Sequence, residues 1–150
     1  MFPALPPYDL VVPPDIRFGP GRAADIAGVA AGLGRTAWLI GGRRSLVASG
    51  LQAQLTADLA ARGLPATLVA TTDGEPTVAQ VAAAVAGLPR EGRAEAVIVA
   101  VGGGAALDLA KAVAALATNV PPDTVDFDAA VVDRLEGVGR GLAIDVPPLP

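Results

Sequence analysis

AVIVAVGGGAALDLAKAVAALATN, residues 96–119, is the stretch from which the rest of the chain can be read. Val97 to Val101 form an unbroken, mostly β-branched apolar run, as expected of a strand buried on both faces. Gly102, Gly103 and Gly104 follow, and the Ala- and Leu-rich run from Ala105 to Ala117 predicts a helix. A strand that turns through glycines into a helix aims the free N–H groups of the first helical turn, and the positive end of the dipole, at one spot. That spot suits a phosphate, and missing side chains let an anion reach the backbone. A purely structural βα turn could use the same glycines. The register of strand, glycines and helix favours the phosphate reading, as do Asp108 and Lys111, one turn apart on an otherwise apolar helix. The spacing is not the G-x-G-x-x-G of the common dinucleotide fold.

Composition narrows the alternatives. A length of 150 residues indicates one domain. Hydrophobic residues make up 52% and aromatic residues 3%, so the core must be built from Ala, Val, Leu and Ile. The net charge of −4 gives no basic footprint for nucleic acid or an anionic membrane surface. The start, MFPALPPYDL, lacks the pattern of a signal peptide, and Asp108 and Lys111 interrupt the longest apolar run. A soluble cytoplasmic protein is expected. The chain has neither cysteine nor histidine, which removes disulfides, thiolate metal sites, the commonest general base and the commonest metal ligand.

Along the chain, five prolines within residues 1–14 indicate an extended arm, with a short edge strand at Asp9–Val12. Ile16–Phe18 reads as a brief strand turning at Gly19-Pro20-Gly21. Ile26, Val29, Ala30 and Leu33 mark one face of a helix that stops near Gly32–Gly34. Ala37–Ile40 is a strand turned by Gly41-Gly42. Leu51, Leu55 and Leu59 mark the next helix, with Ser49 as N-cap, Asp58/Arg62 as an i, i+4 pair and Gly63 as terminator. Ala66–Ala70 is a further strand, and Thr71–Pro76 a polar turn. Thr77 caps a helix that buries Val78, Val81, Ala82 and Val85. Strands and helices thus alternate four times, which implies an α/β fold. Its expected form is a doubly wound, mostly parallel, Rossmann-like sheet with helices on both faces.

Residues 15–122 form the α/β, nucleotide-phosphate-binding domain in this division. Asp123, Asp126, Asp128, Asp133, Glu136 and Asp145 then outweigh Arg134 and Arg140, so 123–150 reads as an acidic, solvated loop with one short helix. Its proline-rich end, Val146–Pro150, reads as a linker toward a further domain.

Taken together, FGPGR (18–22), GEPTV (74–78), GGGAALDLAKAVA (102–114), ATN (117–119) and the LEGVGRG…PPLP tail (135–150) resemble the iron-containing alcohol dehydrogenase family. The resemblance implies an N-terminal α/β half that binds NAD or NADP and a helical C-terminal half that carries a divalent metal, iron or zinc. It implies that Gly102, Gly103 and Gly104 bind the pyrophosphate with Ala105 beside them. Asp108 and Lys111 would lie near the cofactor or serve as helix-start acid and cleft-lining cation.

Three departures from the family pattern matter. Ala105 stands where the family usually has Ser. The carboxylate expected after the second strand, an acceptor for adenine-ribose hydroxyls, is replaced by Gly42-Arg43-Arg44-Ser45. The second cofactor loop and the metal ligands are not found in these residues, and no residue here is a candidate catalyst. Arg43, supported by Arg44, reverses the expected charge and favours NADP over NAD, with Gly41 and Gly42 clearing space beside it. The arginines could equally solvate a loop.

The complete enzyme would pass hydride between nicotinamide and a small alcohol or aldehyde. Cofactor halves of glycerol dehydrogenase, maleylacetate reductase or dehydroquinate synthase relatives remain alternatives. So do a non-catalytic nucleotide-binding module and a self-associating fragment, the latter a homo-oligomer.

Overall fold

A computed structural model describes residues 15–135 and 142–150. The expected arm and edge strand within 1–14, and most of the LEGVGRG segment, lie outside the described residues.

Three parallel strands form the sheet: β1 (Thr36–Gly42), β2 (Ala66–Thr72) and β3 (Ala96–Val101), in the order β2-β1-β3. The alternation of side chains assigns each face. Ala37, Leu39, Val97 and Val99 bury against Ala27 and Ala30 of α1 (Ile26–Ala31) and against Leu55 and Leu59 of α2 (Leu51–Ala60). Trp38, Ile40, Ile98 and Ala100 face α3 (Val78–Ala86) and α4 (Gly104–Asn119) through residues such as Val81, Val85, Leu109 and Val113. Helices on opposite faces are what right-handed crossovers require when the chain runs first to one side of β1 and then to the other. The expected doubly wound α/β architecture is therefore present. Fully buried Leu39 and Leu59 each contribute about 1.5–3 kcal/mol relative to exposure.

The register of β1 on β2 shifts between Leu39 and Ile40, which pair with Leu68 and Ala70. Val69 is the extra residue. This bulge puts Leu68 with the α2 layer and both Val69 and Ala70 with the α4 layer.

Several sequence expectations are corrected. Ile16–Phe18 is irregular chain, with Ile16 77% and Phe18 96% exposed, so the described sheet has three strands instead of four. Among the described residues this segment has no neighbouring strand to complete a ladder. Helix α1 buries Ala27 and Ala30 but exposes Val29 and Leu33. It ends at Ala31, so Leu33 lies past the helix and cannot share its face. Gly50, at φ +80°, precedes α2 in place of Ser49 as the N-cap, although the Ser49 hydroxyl still accepts the Leu51 N–H at 3.3 Å. Arg62 does not pair with Asp58 among the described ion pairs; it packs over Gly28 of α1.

Helix α3 begins as its sequence implies. Thr77 Oγ1 accepts the Gln80 N–H at 3.2 Å, and Gln80 Oε1 accepts the Thr77 N–H at 2.9 Å. Thr77→Ala is expected to lower stability by about 1 kcal/mol, seen as a lower urea midpoint at unchanged slope.

The acidic segment contains α5 (Phe127–Leu135), whose N-terminus Asp126 caps by accepting the Ala129 N–H at 2.9 Å. Val131 and Leu149 bury in the same core as α3 and α4. Asn119 fastens the returning chain: its Oδ1 accepts the N–H groups of Asp145 and Val146, and its Nδ2 donates to the Val146 carbonyl. The chain then runs to the outer edge of β3, where the Pro150 carbonyl accepts the Ile98 N–H at 2.7 Å.

Candidate functional site

All three strands point their C-terminal ends at one side of the sheet, and the loops that follow them meet there. In a sheet ordered β2-β1-β3 the chain reverses direction across the sheet at β1 and β3, and ligands of open α/β sheets bind outside the strand ends at such a point. A cavity of about 310 Å³ occupies this position. It is lined by Gly42, Arg43, Arg44 and Ser45 after β1, by Thr72, Asp73 and Gly74 at the end of β2, and by Gly103 to Ala106 after β3.

The three glycines have different jobs. Gly102 has φ +151°, and a Cβ there would lie 2.7 Å from the Ala106 Cβ and 3.2 Å from the Gly42 nitrogen. It makes the turn and lets the β1 and β3 loops close on each other. Gly103 has φ −80° and ψ −170°, an extended conformation open to any residue. No atom lies within 4 Å of a Cβ added at Gly103 or Gly104, so at these two positions the missing side chain leaves open space on the cavity wall.

Gly103 is also the N-cap of α4, and no side chain caps that helix. The N–H groups of Gly104 and Ala105 have no intrahelical acceptors, and the positive end of a 16-residue helix dipole stands behind them. By contrast, α3 satisfies its own first turn with Thr77 and Gln80. The arrangement can take an anion without any basic side chain touching it.

Charge enters from the other two loops. Arg43 Nε donates to Asp73 Oδ2 at 2.8 Å, bridging the ends of β1 and β2 across 30 residues of sequence. Arg44 lines the same cavity and takes no ion-pair partner among the described residues. The Thr72 hydroxyl bonds with the Gly74 backbone and shapes the β2 loop.

A larger groove of about 820 Å³ lies beside the outer edge of β3, walled by Phe18, Val29, Leu33, Ile98 and Pro150. Its rim charges, Asp15, Arg17 and Asp25, are engaged with one another. Among the described residues it offers no converging set of free polar groups, so chemistry selects the smaller cavity over the larger.

The family model for iron-containing alcohol dehydrogenase matches residues 13–147. The chain belongs to the iron-containing alcohol dehydrogenase family. Within this family member, the sequence motifs sort by position. Gly103, Gly104, Ala105, Gly42, Arg43 and Arg44 converge on the cavity, and Gly102 forms the turn beneath it. Asp108 and Lys111 do not line it; they form an exposed ion pair with each other, Nζ to Oδ1 at 2.8 Å.

Gly41 and Gly42 make room for the protein itself. A Cβ at Gly41 would meet Leu46 at 2.6 Å and the Val101 carbonyl at 2.7 Å, and one at Gly42 would meet the Ser45 hydroxyl at 2.6 Å. The reason is a π-helical turn, Arg43–Ala48, that folds Leu46 back beneath the end of β1. Asp73 is the residue that reading the sequence missed. The polar turn that holds it was visible, but its partner follows a different strand.

A solved structure of a mutant of ADH/D1, an archaeal halo-thermophilic alcohol dehydrogenase from a Red Sea brine pool, has a similar fold. Its TM-score is 0.58 at 21% identity, over 71% of this chain and 26% of that one. The present chain thus spans about a quarter of that protein's length. No curated protein sequence matches the chain. No helix among the described residues is long and apolar enough to cross a membrane.

Proposed function

We propose that this chain is the NAD(P)-binding part of an alcohol dehydrogenase-like oxidoreductase. The observation that carries this reading is the open backbone at Gly103 and Gly104. It lies at the uncapped start of α4, on a cavity at the carboxyl ends of all three strands. The pyrophosphate would accept from the N–H groups of Gly103, Gly104 and Ala105. The adenosine side would extend over Gly42 toward Arg43 and Arg44, where guanidinium donors favour the extra phosphate of NADP. A nicotinamide dinucleotide held by these residues would supply hydride-transfer chemistry toward an alcohol or aldehyde carbon. Calorimetric titration of the chain with NADP and NAD tests the reading directly, and no heat of binding with either would refute it.

The iron implied by the family does not find a set of donors among the described residues. The chain has no histidine or cysteine, and among the described residues no group of three or more acidic side chains is placed to hold a metal ion. The corresponding expectation is that purified 1–150 fails to reduce NAD or NADP with alcohols, whichever divalent cation is supplied. Absorbance at the reduced-nicotinamide band checks this; turnover that follows the protein through purification would contradict it.

A further inference from the structure

The Arg43–Asp73 pair has a consequence for which cofactor is accepted. The resemblance implies a carboxylate after the Ala37–Ile40 strand, and this chain has Arg43 and Arg44 there instead. In the folded chain, Asp73 from the end of β2 brings a carboxylate to the same cavity wall, 2.8 Å from Arg43 Nε. A carboxylate accepts from a ribose 2′-hydroxyl, whereas a guanidinium accommodates a 2′-phosphate. Both chemistries therefore stand side by side.

We propose that Arg43 and Asp73 act together as a cofactor-specificity pair that admits both NAD and NADP, Asp73 taking the 2′-hydroxyl of the first and Arg43 the 2′-phosphate of the second. This rests on the cofactor-binding reading above. Two features of the pair support it. The side chains are 65% and 62% exposed, so the bridge is held weakly in water and either partner can turn to a ligand. The bridge also uses only Nε, which leaves the two Nη groups of Arg43 for phosphate oxygens. Arg44, on the same wall and without an ion-pair partner among the described residues, adds positive charge for either dinucleotide. Asp73 thereby restrains the NADP preference that two arginines alone would give.

The test is the ratio of dissociation constants for NAD and NADP, measured by titration calorimetry on the 150-residue chain and its variants. The native chain is expected to bind both within about tenfold of each other. Asp73→Asn removes the charge that opposes the 2′-phosphate and weakens acceptance from the 2′-hydroxyl, so the ratio moves about tenfold toward NADP. Arg43→Ala moves it about tenfold toward NAD. Asp58→Asn removes the same charge from α2, outside the cavity, and is expected to leave the ratio unchanged. A ratio that Asp73→Asn leaves within about twofold of native overturns the pair. So does a shift that Asp58→Asn reproduces, or a shift in the same direction from both cavity variants. If the native chain binds neither dinucleotide, the cofactor-binding reading fails and this proposal falls with it. Circular dichroism of each variant establishes that the fold is intact, as expected for changes at exposed side chains.

Discussion

Gly103→Val is expected to leave the chain folded and reduce dinucleotide affinity by about a hundredfold or more, roughly 2.7 kcal/mol. The backbone at Gly103 is extended, so valine fits its dihedrals, and no atom lies within 4 Å of the added Cβ. The fold therefore has little to lose. The open space beside Gly103 belongs to the cavity, and three added carbons would stand where a phosphate must approach the first N–H groups of α4. Urea unfolding and calorimetric titration of the same preparation check both halves of the expectation. Unchanged affinity in a folded variant would mean that these glycines serve only the turn.

Gly102→Val, one residue earlier, is expected to do the reverse and unfold the protein more easily, by about 2–6 kcal/mol. Here φ is +151°, a conformation that a β-branched residue resists, at about 1–3 kcal/mol. The new Cβ would also lie 2.7 Å from that of Ala106 and 3.2 Å from the Gly42 nitrogen, and overpacking of this kind costs about another 1–3 kcal/mol. Neither neighbour can yield easily, since Ala106 is buried on α4 and Gly42 ends the central strand. The urea midpoint of Gly102→Val compared with Gly103→Val measures the difference. Equal stability of the two variants would remove the distinction drawn between a turn-forming and a ligand-facing glycine.

Much of the fold was legible because it is written locally. The β-branched run before Gly102, the Ala- and Leu-rich run after it and the four-residue recurrence of Leu51, Leu55 and Leu59 each specify an element through the local pattern of its own side chains. Thr77 caps its own first turn, so it could be read as a cap from the sequence, whereas the reciprocal bond from Gln80 emerged in the structure. Local reading failed where the chain carries β-forming residues with no neighbouring strand among the described residues, as at Ile16–Phe18. It also failed where a helix is too short to use its own periodicity, as at Val29 and Leu33.

The candidate site divides in the same way. Sequence by itself determined the strand–glycine–helix unit from Ala96 to Asn119, the alternation that makes the chain α/β, the family resemblance, and the absence of histidine and cysteine. Only the tertiary structure decided the strand order β2-β1-β3, the distinct duties of Gly102 and Gly103, and the filling of the space at Gly41 by Leu46. It alone decided that Asp73 meets Arg43. The physical reason is one of range. Backbone propensity and side-chain periodicity act over a few residues, whereas the meeting of two loop ends 30 residues apart depends on which side of β1 each crossover places its strand.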